Sequence, residues 1–249
     1  MSIIKIIHLD QTDSTNAWLR RHDDTGFDLC VVARCQTDGQ GQGSNKWESE
    51  PDSNLTFSLL THPTGVSASG QYLLSMAMAV AVRDAAAAAS PAASDQDFTI
   101  KWPNDIYWRD SKLAGILIEC DLHGSEIRRC ISGVGLNIYQ QHFVSDAPNP
   151  VSLCQTGSIA PDLLTDDLLL QDLLHRYSIN VGQPEATRAA YRRHLYRRSG
   201  MHRYRDANGT FMAETAGVDD QGTLLLRDDT GQMRCYQFKQ VQFLLPSGQ

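Results

Sequence analysis

Lys101-Trp102-Pro103-Asn104-Asp105, followed closely by Lys112-Leu113-Ala114-Gly115-Ile116-Leu117-Ile118-Glu119, are the stretches from which this chain can be read outward. Phe98 to Trp102 reads as a strand, Pro103-Asn104-Asp105 as a turn, and Leu113 to Cys120 as an apolar strand that Lys112 precedes. Ile127 to Ile138 is another strand, with Gly133 and Gly135 inside it. Towards the N-terminus lie strands at Leu55 to Leu60, Leu29 to Arg34 and Ile3 to Leu9, and a short amphipathic helix that Ser14 can cap. Tyr72 to Ala89 is a long helix, broken by Ser90-Pro91-Ala92-Ala93-Ser94. Leu163 to Ile179 and Pro184 to Arg198 predict two more helices. Strands interleaved with helices make this an α/β (α+β) chain. After Gly200 the character changes: Asn208-Gly209, Asp219-Asp220-Gln221-Gly222 and Asp228-Asp229-Thr230-Gly231 are regularly spaced turns between short strands. The expected division is 1–200, a mixed α/β domain, and 201–249, a small β domain.

The 249 residues are 41% apolar, enough for a real core, and the net charge is -7. That balance argues against a general nucleic-acid binder, although a single nucleotide needs only a few donors and cations. The six cysteines (30, 35, 120, 130, 154 and 235) form no C-x-x-C pair and no zinc spacing. They read as small buried hydrophobes in a reducing compartment. The N-terminal apolar run is too short for a signal peptide, and Arg83-Asp84 interrupts the longest apolar stretch. A cytoplasmic location without a membrane partner is the expectation.

Five segments carry candidate chemistry. Gln36 to Glu50 is a long polar loop containing Gly39-Gln40-Gly41-Gln42-Gly43, Lys46 and Trp47. Alternating glycines let backbone amides converge on an anion, and Trp47 offers a flat face to a purine. On glycine content alone a flexible surface segment is the favoured reading. Its spacing is neither that of a P-loop nor of a dinucleotide fingerprint. Lys101 can balance phosphate or carboxylate charge, and Asp105 can help hold magnesium; a plain turn fits as well. A lone strand-end lysine such as Lys112 is commonly solvated. Gly133, Gly135 and Asn137 can floor a ligand pocket or mark a bulge. Ser14, Thr15 and Asn16 can bind a polar ring or form a plain helix cap.

In order and spacing these segments, with Asp13-Ser14-Thr15-Asn16 and Gly133-Val134-Gly135-Leu136-Asn137, resemble the biotin–protein ligases along nearly the whole chain. The resemblance implies a mixed-sheet catalytic domain followed by a small SH3-like barrel. It implies activation of biotin by ATP, with Mg2+, to biotinyl-5′-AMP, and transfer to a lysine of a biotin carboxyl carrier protein. By the same resemblance, Ser14, Thr15, Asn16 and Gln36 contact biotin, while Gly39, Gln40, Gly41 and Gln42 close over biotin and the adenylate. Trp47 and Asn104 lie on the adenine side. Lys112 lies between the biotin carboxylate and the reacting phosphate. Lys101 and Asp105 serve the phosphate and carrier-lysine side, with Asp105 also a weak magnesium candidate. Gly133, Gly135 and Asn137 form the pocket floor.

Two departures stand out. The family loop carries arginines where this chain has Gln40 and Gln42, which removes charge and the guanidinium fork. No DNA-binding segment precedes the first strand, so no DNA partner is expected. Monomer and homodimer both remain open. A lipoate–protein ligase or octanoyl transferase is one competing reading, and a non-catalytic biotin-binding relative is another.

Overall fold

The computed structural model describes residues 4–22, 26–43, 45–144, 149–157, 159 and 167–245. A seven-stranded sheet organises residues 5–137. Its strands are β1 (Lys5–Thr12), β2 (Leu29–Gln36), β3 (Asn54–Thr61), β4 (Phe98–Lys101), β5 (Asp105–Trp108), β6 (Ser111–His123) and β7 (Glu126–Asn137). They lie in the order β1-β2-β3-β7-β6-β5-β4. β1 and β2 are parallel, and every other neighbouring pair is antiparallel. A parallel pair needs a crossover, and α1 (Thr15–Arg21) lies within it.

The period-2 alternation of strands decides which side of this sheet holds the core. Leu55, Phe57 and Leu59 of β3, Ala114 and Ile116 of β6, and Val134 and Leu136 of β7 join one cluster with the apolar residues of α2 (Tyr72–Ala89). The intervening residues Thr56, Ser58, Gly115, Leu117, Gly133 and Gly135 face the other side. Strand β3 is buried at seven of its eight positions because both of its faces are covered.

Helix α2 is long and apolar enough to cross a membrane by length and composition, but most of it is buried against the sheet. Its one buried charge is satisfied locally. Arg83, 3% exposed, donates from Nε to the Phe98 carbonyl at 3.0 Å and pairs with Asp84 and Asp95 at 2.8 and 2.7 Å. The guanidinium therefore ties α2 to the start of β4. Arg83→Ala is expected to destabilise the fold by about 3 kcal/mol, since it strips a buried carbonyl and breaks a partly buried ion network. Denaturant titration checks this, and a change under 1 kcal/mol refutes the role.

Three expectations change. Asp105 to Trp108 is a strand, not the tail of a turn; four residues are too few to show a period. Lys112 lies within β6 rather than before it. A bulge puts one extra β6 residue between the pairs Ile106↔Ala114 and Tyr107↔Lys112. The helix expected to reach Arg198 ends as α4 (Pro184–Arg193). There the free edge of β4 takes over: Ile100 donates to the His194 carbonyl at 2.7 Å, and Tyr196 to the Ile100 carbonyl at 2.9 Å. The preceding helix is described as α3 (Leu168–Gly182); residues 163–166, where it was expected to begin, lie outside the described residues.

The expected C-terminal β module is a five-stranded antiparallel sheet in the order β11-β10-β9-β8-β12. Its strands are β8 (His202–Asp206), β9 (Gly209–Val218), β10 (Leu224–Asp228), β11 (Met233–Tyr236) and β12 (Gln242–Phe243). Each of the three turn signals falls between or at the ends of strands. Asp228, 2% exposed, accepts from the Thr230 and Gln232 amides, each at 3.0 Å, closing the β10–β11 turn. Hydrogen bonds from Thr230 and Arg234 hold its carboxyl down to about 2. A carboxylate depressed in the folded state contributes stability that is fully present above its unfolded pKa and is lost as pH falls through the folded one. The turn is thus expected to hold above pH 3.8 and to weaken towards pH 2. Acid melts of Asp228→Asn, compared with wild type, should lose this limb; identical acid limbs would refute it.

Candidate functional site

On the sheet face opposite α2 lies a cavity of about 650 Å³. One end of it is polar and buried. Ser14, Thr15 and Asn16 are each 3% exposed, because the N-terminal turn of α1 sits on β3 and β7. Ser14 caps the helix by accepting from the Ala17 amide at 3.5 Å. Thr15 donates from both its amide and its hydroxyl to Gln36 Oε1, at 2.8 and 3.0 Å. Ser58 of β3 reaches up between them, with its Oγ 2.7 Å from Thr15 Oγ1 and donating to Asn16 Oδ1 at 2.6 Å. Asn16 Nδ2 in turn donates to Glu119 Oε2 at 2.8 Å. This network fixes the asparagine amide in one orientation.

Gly133 exists in that network for want of room. A Cβ there would lie 2.9 Å from Asn16 Cγ, and closer still to its Oδ1. Two residues along, a Cβ on Gly135 would lie 2.6 Å from Cζ2 of Trp47, and one on Gly115 would lie 3.1 Å from its Cζ3. The indole therefore lies flat on bare backbone of β6 and β7. Its Nε1 is a buried donor with no partner among the described residues.

The cationic end is built by the β4–β5–β6 meander. Lys101 and Asp105 are cross-strand partners, and Asp105 is also opposite Gly115. Asp105 Oδ1 is 2.7 Å from Lys112 Nζ, and its Oδ2 is 3.7 Å from Lys101 Nζ. Two ammonium groups thus share one carboxylate, leaving one net positive charge in a half-buried setting. Burial lowers the pKa of Lys101 below its ordinary value; the attraction of Asp105 opposes this and the repulsion of Lys112 adds to it. Lys112 Nζ also lies 5.8 Å from the centre of the Trp47 ring.

The turn between β4 and β5 is clamped from three directions. Tyr72 and Tyr191 donate to the Pro103 carbonyl at 3.3 and 3.1 Å, and Trp102 Nε1 donates to the Gly222 carbonyl at 2.8 Å. Asn104 donates from its side-chain amide to the Ile116 carbonyl and accepts from the Ile116 amide at 3.0 Å. The two lysine-bearing motifs are therefore stitched into one unit.

The glycine-rich loop folds over the cavity as a small hairpin. Gly41 donates to Asn45 at 2.8 Å and Trp47 to Gly39 at 2.9 Å. Its polar groups turn back on Asp38: Gln40 Nε2 donates to the Asp38 side chain at 2.9 Å, and Lys46 pairs with the same carboxylate. Gln42 Oε1 is buried and without a partner among the described residues. Lys46 thus pairs within the loop while lining the cavity.

Of the residues expected at the site, Ser14, Thr15, Asn16, Gln36, Gln40, Gly41, Gln42, Trp47, Lys101, Asn104, Asp105, Lys112 and Gly133 line this cavity. Gly39, Gly135 and Asn137 stand one layer behind it. Gly39 pairs with Trp47, and Gly135 lies under the indole. Asn137 donates to the Val151 carbonyl at 3.0 Å and leaves its Oδ1 buried and unpaired among the described residues. Sequence reasoning missed Ser58, Gly115, Leu117 and the wall made by Phe238 to Leu244 of the C-terminal sheet. A serine at an inward position of an apolar strand was the available signal for Ser58. Nothing local marked Lys239, whose Nζ would lie 2.7 Å from a Cβ on Gly43 and so reaches the loop.

The donor set does not build a metal cage. Both oxygens of Asp105 face lysines, and no group of three His, Cys, Asp or Glu among the described residues is arranged to hold a metal ion. Asp105 fits the role of counter-ion to the lysines, not that of a magnesium ligand. Magnesium that travels on nucleotide phosphates needs no such cage.

A family model described as "Biotin/lipoate A/B protein ligase family" matches residues 8–137. The bifunctional ligase/repressor BirA of Bacillus spizizenii is 30% identical over 214 residues, covering 83% of this chain. The biotin–[acetyl-CoA-carboxylase] ligase of Mycobacterium tuberculosis is 34% identical over 158 residues, covering 61% of this chain and 56% of its own length. The alignment spans 63% of the length of the Bacillus relative. A biotin protein ligase from Aquifex aeolicus, solved with biotin and ATP, superposes with a TM-score of 0.75 at 21% identity. That superposition covers 96% of this chain and 99% of the other, and it shows a common fold. The family match takes in the polar end of the cavity, the loop and both lysine motifs, and this chain belongs to the biotin/lipoate A/B protein ligase family.

Proposed function

We propose that this protein is a biotin–protein ligase, with residues 1–200 as its catalytic domain and 201–249 as a small domain that walls one end of the site. The observation that carries this reading is the pairing of a buried hydrogen-bonding end with a cationic end in one cavity. Ser14, Thr15, Asn16, Gln36 and Ser58 present fixed donors and acceptors. A ureido ring, with two N–H donors and a carbonyl, can satisfy such a set. The dithiolane ring of lipoate has no comparable groups and could replace none of these hydrogen bonds on entering the buried site.

In this reading a carboxylate oxygen of biotin attacks the α-phosphorus of ATP, and the bond to pyrophosphate breaks. Lys112 and Lys101 lower the repulsion between the two anions and stabilise charge developing on the phosphoryl oxygens. Trp47 and Asn104 border the adenine. A carrier-protein lysine then attacks the acyl carbon of biotinyl-5′-AMP, and AMP departs. Asp105 holds the two lysines in place and offers the incoming amine an anionic neighbour. The glycine loop shields the mixed anhydride from water. Curated relatives named biotin–[acetyl-CoA-carboxylase] ligase support the carrier as acceptor.

The test is incubation with labelled biotin, magnesium ATP and an apo carrier domain, with lipoate as competitor. Label on the carrier, unaffected by lipoate, is expected. Lipoate transfer in its place would overturn the reading.

The loop's glutamines make a further expectation. With no guanidinium at positions 40 and 42, the adenylate loses charge-assisted hydrogen bonds. Gln42→Arg is expected to slow release of biotinyl-5′-AMP roughly tenfold, the worth of one such bond. Equal release rates from wild type and variant would sink it.

A further inference from the structure

The chain's cations are strongly segregated. Residues 188–205 hold seven arginines and no acidic residue, although the whole chain has 22 Lys and Arg against 29 Asp and Glu. The remaining 15 cations face all 29 acids, so the rest of the molecule carries -14. Elsewhere on the surface arginines are paired: Arg21, Arg34 and Arg129 each hold an aspartate. Within the segment, Arg188 and Arg192 share Asp220. Arg193, Arg198, Arg203 and Arg205 are exposed, and none makes an ion pair among the described residues.

The fold brings these free guanidinium groups to one place. Arg193 and Arg198, beside the paired Arg192, rim a cleft of about 450 Å³ between α4 and β9. Beyond it runs β8, where Tyr204 points inward and is fully buried, so that Arg203 and Arg205 on either side point out. β8 pairs with β12, with Arg205 opposite Gln242. The Leu244 amide donates to the Arg203 carbonyl at 3.0 Å, and Arg197 donates to the Leu244 carbonyl at 2.8 Å. Gln242, Phe243 and Leu244 line the cavity of the proposed active site. The basic surface therefore runs from the cleft to the rim of the site.

We propose that this arginine surface docks an acidic face of the carrier domain that accepts biotin. The proposal rests on the biotin-ligase reading, because only a macromolecular acceptor must sit on this rim while its lysine enters the cavity. Unpaired surface guanidinium groups cost little in water and give an anionic partner both attraction and orientation. On a molecule that is otherwise acidic, they give an anionic partner an attractive approach.

The test compares wild type with the triple variant R198E/R203E/R205E, using an apo carrier domain of an acetyl-CoA carboxylase as probe. All three side chains are exposed and make no hydrogen bond among the described residues. Biotin- and ATP-dependent pyrophosphate release is expected to be unchanged. KM for the carrier is expected to rise at least roughly tenfold with kcat retained, and the fall of wild-type kcat/KM with added salt should flatten. An unchanged carrier KM and salt slope would overturn the proposal. So would loss of duplex-DNA binding in a gel shift, or a change from dimer to monomer, if the carrier KM stays the same. Should the triple variant misfold, R203Q/R205Q, which removes charge without reversing it, is expected to raise KM severalfold. Direct binding of the carrier by calorimetry keeps the two readings distinguishable. If wild type releases no pyrophosphate, the ligase reading fails, while weaker carrier binding by the variant still supports the docking surface.

Discussion

Lys112→Gln is expected to slow biotin adenylation by roughly 100- to 1,000-fold, the scale seen when one preorganised charge or donor is taken from a developing oxyanion. Lys112 is the closer of the two lysines to Asp105, at 2.7 Å against 3.7 Å, and it also approaches the Trp47 ring. It is therefore the cation whose position is held from two sides. Glutamine is one bond shorter and still offers an N–H donor towards Asp105 but removes the charge, so the site changes from one net positive charge to none. Two anions then have to meet with only Lys101 to offset them, and burial already biases Lys101 towards its neutral form. Single-turnover pyrophosphate release measures the effect. Thermal melting separates it from unfolding, because both partners keep access to solvent. A loss under tenfold would remove Lys112 from the chemistry and leave it a packing residue.

Gly133→Ala is expected to raise the KM for biotin by roughly two orders of magnitude and to cost about 1–3 kcal/mol of stability, the usual scale of overpacking a filled site. The added methyl meets Asn16 at 2.9 Å from Cγ and closer at Oδ1. Asn16 has nowhere to go. Ser58 donates to its Oδ1 at 2.6 Å, and its Nδ2 donates to Glu119 at 2.8 Å. Either the asparagine gives up both bonds or β7 moves away from α1, and each outcome dismantles the polar end of the cavity. The double variant Asn16→Ala/Gly133→Ala should recover stability but not biotin affinity, a non-additivity that a purely local strain would not produce in the binding readout. Gly70→Ala is the control, since its nearest neighbour would be at an ordinary 3.5 Å. Wild-type biotin affinity in Gly133→Ala would show that the polar end is not where biotin sits.

Much of the site was legible because its residues act through local pattern. The two lysine motifs are nearly contiguous, and a turn between short strands brings their charges together without help from distant chain. Gly133 and Gly135 fall two apart, so any strand reading puts both on one face, and that face has to be the one where something large approaches. Asn104 and Asn137 also bind the fold itself. An asparagine can bind a ligand or its own fold, and here one amide holds Ile116 and the other Val151. Which of the two it does depends on which carbonyl the fold leaves short of a donor, and sequence does not list carbonyls.

Alone, the sequence determined the alternation of helices and strands, the break near Gly200, the turns of the C-terminal module and the order of the motifs, because periodicity, capping and turn chemistry are set by neighbours a few residues apart. It also held the concentration of arginines after Thr187, though not what surrounds them. Tertiary structure decided the rest. Only packing shows that β5 exists, that the edge of β4 ends α4 at Arg193, and that Asp105 is committed to two lysines. Only packing brings β12 to wall the cavity and so sets Arg203 and Arg205 at its rim. These features depend on free hydrogen-bonding edges, on volume already filled and on charge supplied by remote segments. Such quantities belong to the folded chain as a whole and have no local signature.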